Sequence, residues 1–114
     1  MTVEGEKFAD VGGVRTRYVE KGEGEIVVLF HGGHFGSTSS ADAIEDWGRT
    51  MDDLSKWCHV FAIDKLGQGY TGNPKTDDDY TMDAVVRHGY QTLRTLGIDG
   101  AHLIGHSRGG YLTC

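Results

Sequence analysis

The chain has 114 residues, of which 38% are hydrophobic and 25% charged, a composition that suits one small globular domain and excludes a long disordered or fibrous chain. Seventeen acidic against 11 basic residues give a formal net charge of −6, which repels phosphate backbones and excludes a nucleic-acid surface as the natural partner; a small molecule fits better. Eighteen glycines with a single proline, placed at the ends of apolar runs, point to tight turns between alternating strands and helices, hence to an α/β chain.

The first ten residues, MTVEGEKFAD, carry neither a basic start nor an apolar signal core, and no apolar run is long enough to span a bilayer, so the expectation is a cytoplasmic protein without a membrane partner. From Glu6 to Lys21 two short alternating runs flank Gly12-Gly13 and predict an antiparallel hairpin with Val14, Thr16 and Tyr18 on one side of its second strand. Ile26 to Phe30, IVVLF, is too short for a helix and rich in β-branched residues, as a central strand buried on both faces would be. It ends in HGGHFGSTSS, a loop of glycines and small polar residues at the place where open α/β sheets hold their ligands.

Ile44, Trp47, Met51 and Leu54 then recur at helical spacing, with acidic residues leading and Lys56 trailing in the sense that complements the helix dipole; Trp47 reads as core. His59 to Ile63 predicts a second buried strand, closed by DKLGQGYTGNP. Asp77 to Asp79 lack the spaced ligands of a calcium loop and read as solvated. Thr81 offers an N-cap to a helix whose inner face is Val85, Gly89, Leu93 and Leu96 and which stops at Gly97. After a turn at Asp99-Gly100, the run AHLI predicts a third buried strand, followed by GHSRGG and the opening of another helix. Cys58 and Cys114 stand in no metal or redox spacing and read as free thiols.

The stretch Gly105 to Gly110 sets Ser107 between Gly105 and Gly109, the Gly-x-Ser-x-Gly arrangement of a strand-to-helix turn that exposes a nucleophile. In such a turn the positions two before and two after the serine can hold almost no side chain. Three loops therefore follow three strands in order: His31-Gly32-Gly33, the Asp-x-x-Gly-x-Gly of Asp64 to Gly69, and GHSRGG.

This order closely resembles the α/β-hydrolase fold family, from about Glu6 to Cys114. The resemblance implies a mostly parallel sheet with flanking helices and an N-terminal antiparallel hairpin, with residues 1–114 forming the N-terminal part of a single hydrolase domain whose cap and C-terminal half lie elsewhere. It also implies Ser107 as nucleophile and an oxyanion hole made by the backbone N–H groups of Gly33 and Arg108. His31 would support its loop, Asp64 would stabilise a turn, and His34 is a candidate for lining the pocket. His106 adjoins Ser107, but neighbouring side chains diverge on such a turn, so it does not read as the base; His59, His88 and His102 read as strand-end or helix-face residues. The family order is serine, then acid, then histidine, which puts the remaining triad members after Cys114. A 114-residue piece with an open edge of buried strands is expected to be marginal or to aggregate alone.

A serine at position 107 argues against haloalkane dehalogenases and epoxide hydrolases, which the resemblance would lead one to expect with aspartate there. The stretches DKLGQGYTGNP and YTMDAVVRHGYQTLRTLGIDGAHLIGHSRGG look most like the meta-cleavage-product branch, which splits a C–C bond in ring-opened aromatic catabolites. His106 and Arg108 depart from the Asn-Ser-Met or Asn-Ser-Phe more usual in that branch. The implied partner is a small-molecule carbonyl substrate, with no cofactor. An esterase acting on small esters and a non-catalytic hydrolase-fold binding protein are the alternative readings.

Overall fold

A computed structural model describes residues 5–32, 47–68, 71–76, 78, 80–106 and 109–113. Five strands and three helices follow one another as β1 (Glu6–Val11), β2 (Val14–Lys21), β3 (Glu25–Phe30), α1 (Gly48–Leu54), β4 (Cys58–Ile63), α2 (Met82–Thr95), β5 (His102–Gly105) and α3 (Gly110–Thr113). The strands form one mixed sheet in the order β1-β2-β4-β3-β5. The hairpin pairs antiparallel, and β2 lies antiparallel to β4, whereas β3 is parallel to both β4 and β5.

The hairpin forms where the alternation predicts it. Gly12 and Gly13 have φ of 57° and 87°, the two successive positive values that a tight turn matched to the strand twist demands. Asp10 Oδ1 accepts from Gly13 N–H at 2.7 Å.

Period-two alternation in the inner strands builds a core on each face of the sheet. On one face Val19, Val27, Leu29, Val60 and Ala62 pack beneath Trp47 and Met51, with Leu54 against their margin. On the other face Val28, Phe30, Phe61 and Ile63 pack with Ile98, with Tyr18, Leu93, Leu96 and Leu112 around them. Helices therefore cover both faces, and β3 is the central strand that IVVLF predicts.

α2 begins and ends as its sequence dictates. The Thr81 hydroxyl accepts from Ala84 N–H at 3.2 Å, and Gly97, at φ 75°, lets Ile98 N–H return to Leu93 C=O at 2.9 Å. Its inner face is broader than the apolar spacing suggests, because Ala84, His88 and Thr92 are buried beside Val85 and Gly89.

Among the described residues β5 lies at the sheet edge, with Ile104 42% exposed and His102 exposed, the open edge of an apolar strand expected of a piece of the domain. The described α1 starts at Gly48 with no basic residue in its last turn, and Asp42, Glu45 and Asp46, the acidic residues expected to lead the helix, lie outside the described residues. Lys56, past its end, instead reaches Asp53 at 3.5 Å on the exposed surface.

Cys58 is a half-buried free thiol, and Cys114 lies outside the described residues. Asp78 is exposed, as a solvated loop requires, while Asp77 and Asp79 lie outside them too. Among the described residues no helix is long and apolar enough to cross a membrane.

Candidate active site

The carboxyl ends of β3, β4 and β5 meet at one edge of the sheet, where Phe30 stands in register with both Ile63 and Gly105. Hydrogen bonding continues one residue past the β5 strand, since Phe30 C=O accepts from His106 N–H at 3.0 Å. His106 C=O then accepts from Gly109 N–H at 2.9 Å, closing a tight reversal before α3 begins.

The two elbow glycines have a steric reason to be glycine. A β-carbon on Gly105 would come within 2.6 Å of Gly110 N and closer still to Gly109 O. One on Gly109 would stand 2.6 Å from His31 O and would run into Phe30 O. These neighbours are backbone atoms, which cannot swing aside, so strand, turn and helix come together only with hydrogen at both positions. The same economy recurs one layer out: a β-carbon on Gly89 would lie 2.6 Å from Leu112 Cδ2, so the bare glycine lets α2 close upon α3.

His31 ties two loops together. Its Nε2 accepts from Lys65 N–H at 3.0 Å, which leaves the ring proton on Nδ1, where it is donated to Gly32 C=O at 2.7 Å. With both ring nitrogens engaged and no exposed surface, His31 braces the Gly32 loop against the segment following β4, the supporting role its sequence position implies.

Asp64 does more than stabilise its own turn. Fully buried, its Oδ2 lies 3.2 Å from Nη1 of Arg17, also fully buried, while Arg17 Nε reaches Glu6 Oε2 at 2.8 Å. Thr71 completes the arrangement, donating its hydroxyl to Asp64 C=O at 2.8 Å and accepting from Arg17 N–H at 3.0 Å. A buried guanidinium between two carboxylates thus fastens the hairpin to the loop after β4. Sequence reading misses this role of Arg17; the available signals are its parity with buried Val19 and the need of a carboxylate just past a buried strand for a countercharge.

The structure therefore brings Gly105, His106 and Gly109 against Phe30, His31 and Gly32 at one corner. Ser107, Arg108, Gly33 and His34 lie outside the described residues. The other described histidines are engaged away from this corner. His59 Nε2 meets Glu20 Oε2 at 2.6 Å, His102 Nε2 meets Glu25 Oε2 at 3.1 Å, and His88 Nε2 meets Thr16 Oγ1 at 2.8 Å. A hydrogen bond from Lys7, with a further one from His59, holds the Glu20 carboxyl below its usual range.

A mixed sheet with an N-terminal hairpin, helices on both faces and a glycine-closed strand-to-helix turn defines an α/β-hydrolase scaffold, and the chain belongs to the alpha/beta hydrolase fold family, whose model matches residues 25–114. It is 38% identical over 106 residues to 2-hydroxy-6-oxo-6-(2'-aminophenyl)hexa-2,4-dienoic acid hydrolase of Metapseudomonas resinovorans, across 92% of this chain and 34% of that enzyme. The chain thus spans about a third of that curated relative's length. A solved serine hydrolase involved in carbazole degradation superposes with a TM-score of 0.79 at 36% identity, over 94% of this chain and 40% of the other. An epoxide hydrolase from Vigna radiata superposes nearly as well, at a TM-score of 0.77, but at 27% identity, over 94% of this chain and 32% of the other. Backbone likeness alone does not separate these chemistries; the site must do so.

Proposed function

We propose that this chain is the N-terminal part of a serine-nucleophile hydrolase that cleaves a C–C bond in ring-opened aromatic, meta-cleavage-type products. Ser107 is the nucleophile, and the backbone N–H groups of Gly33 and Arg108 receive the oxyanion that develops on the substrate carbonyl. The observation that carries this reading is the packing of Gly105 and Gly109 against the end of β3, which brings the residues flanking Ser107 up to the residues that lead into Gly33. Donors taken from the backbone are preorganised by the fold and need no rearrangement as charge develops. Ser107 reacts with a ketone carbonyl, directly or through an activated water; the C–C bond beside that carbonyl breaks, the departing carbon takes up a proton, and water supplies the hydroxyl of the acid released.

The branch is supported by identity to a dienoic acid hydrolase and to the carbazole-pathway serine hydrolase, and by a serine where epoxide hydrolases would be expected to carry aspartate. Because His31, His59, His88 and His102 are committed elsewhere, we assign the triad acid and histidine to the part of the relatives' length that this chain does not span.

A fluorophosphonate probe tests the nucleophile on the full-length protein: labelling is expected, and Ser107→Ala should abolish it and lower turnover by roughly three to six powers of ten. A well-folded sample that takes no label overturns the assignment and favours a non-catalytic binding protein. Supplying a ring-fission dienoate beside a simple ester then tests the subclass, since ester turnover faster by orders of magnitude would make the protein an esterase.

A further inference from the structure

Where the β1–β2 turn meets α2, the surface holds a half-open cavity of about 130 Å³. Its wall reaches α3 through Leu112, which packs against Leu66 and Ala84, but none of its lining residues belongs to the elbow corner. Buried Val11, Leu66 and Ala84 form part of its wall. An engineered apolar cavity of about 150 Å³ takes benzene, so the space suits a single ring or a chain of similar bulk.

Its charged lining is cationic. Lys75 and Arg87 line it, and no described carboxylate does, although the chain as a whole carries a net charge of −6. Arg87 shares Asp83 at 3.0 Å, but Lys75 has no ion-pair partner among the described residues. The Lys75 ammonium lies against Gly13, where any β-carbon would collide with it, so the turn glycine also leaves room for the lysine.

The remaining polar element is His88, 4% exposed and part of the cavity wall. Its Nε2 is taken by Thr16 Oγ1 at 2.8 Å, while its buried Nδ1 has no hydrogen-bond partner among the described residues. A buried ring nitrogen left unpaired is rare and costly, and it makes His88 a polar member of the wall. Thr16 can also donate its hydroxyl to Val14 C=O at 3.1 Å, so Nδ1 is an acceptor in one arrangement and a donor in the other.

We propose that this cavity is a second small-molecule site, taking a small monocarboxylate with its apolar body against Val11, Leu66 and Ala84 beside His88 and its carboxylate at Lys75 and Arg87. The site stands independently of the role assigned to Ser107.

The test is a titration of the full-length protein with salicylate, followed by amide shifts at Gly12 and Gly13 and by the His88 ring resonances. Saturable shifts there are expected, with the same midpoint in Ser107→Ala. Loss of a charge-assisted contact in Lys75→Glu, or its replacement by a neutral alcohol in salicyl alcohol, should weaken binding roughly tenfold or more. Lys75 is exposed, so its replacement leaves the fold intact, and Lys75→Ala should show the same direction with a smaller effect. An absence of saturable shifts, shifts confined to the neighbourhood of Gly105 and Gly109, or an affinity unchanged in Lys75→Glu would overturn the proposal. The serine probe reads the elbow separately, so either assignment can fail alone.

Discussion

Two corners of this sheet are joined by different means. Where β5 turns into α3, backbone meets backbone: Gly105 and Gly109 are hemmed in by main-chain atoms, and the bonds from His106 N–H to Phe30 and from Gly109 N–H to His106 involve main chain alone. Where the hairpin meets the segment after β4 and α2, side chains add to the main-chain bonds from Asp64 N–H to Arg17 and from Gly72 N–H to Arg15, through Arg17 with Glu6 and Asp64, and through Thr16 with His88. Main-chain groups neither titrate in the physiological range nor change rotamer, so the first corner can hold a reacting atom in one place across conditions. The second corner depends on ionisation states. It offers the chain stability and recognition that respond to charge and pH, and each half of the contrast can be broken separately.

The largest effect falls on the charged corner. Arg17→Ala leaves Asp64, with no exposed surface, as a buried carboxylate robbed of its guanidinium, and removing one partner of such a pair costs about 3–5 kcal/mol. Urea unfolding of the full-length variant measures this, and a loss below about 1 kcal/mol would place the network among the weakly contributing surface pairs. Gly109→Ala should come next, costing about 1–3 kcal/mol because its methyl meets the main-chain carbonyls of Phe30 and His31. That loss should be nearly equal at pH 7 and pH 5, since the main-chain atoms the methyl meets do not titrate, and it should reduce catalytic turnover through displacement of the turn. A loss that changed with pH would break the distinction between the corners.

How far each corner is legible in the sequence follows the same division. The elbow glycines, the Gly12-Gly13 turn and the Thr81 cap are local: their geometry is dictated by residues within a few positions, and the sequence states it directly. The apolar runs of β3 and β4 likewise announce themselves, because a strand buried on both faces has nowhere to place a polar side chain. What escapes is set by distant pairing. Arg17 is buried only because Glu6 and Asp64 flank it, and His88 is buried against a threonine 72 positions away. At the elbow, the flanking glycines are visible in both sequence and structure, while the roles of Ser107, Arg108 and Gly33 rest on motif position.

The last of the three effects is the most diagnostic. Burial away from solvent disfavours the imidazolium of His88 and lowers its pKa from 6.5 to about 4, so the folded protein holds the ring neutral at pH 5 while the unfolded chain binds a proton there. The unfolded state therefore binds more protons throughout the interval between the two values, and stability falls as the pH drops through 6.5 and levels off below about 4. Between pH 7 and pH 5 this amounts to about 2 kcal/mol from His88 alone. Urea unfolding of the wild type against His88→Gln, which cannot titrate, isolates it: the two curves should converge by that amount over the interval. A pH dependence identical in both proteins would mean that His88 accepts its proton in the folded state as readily as in the unfolded.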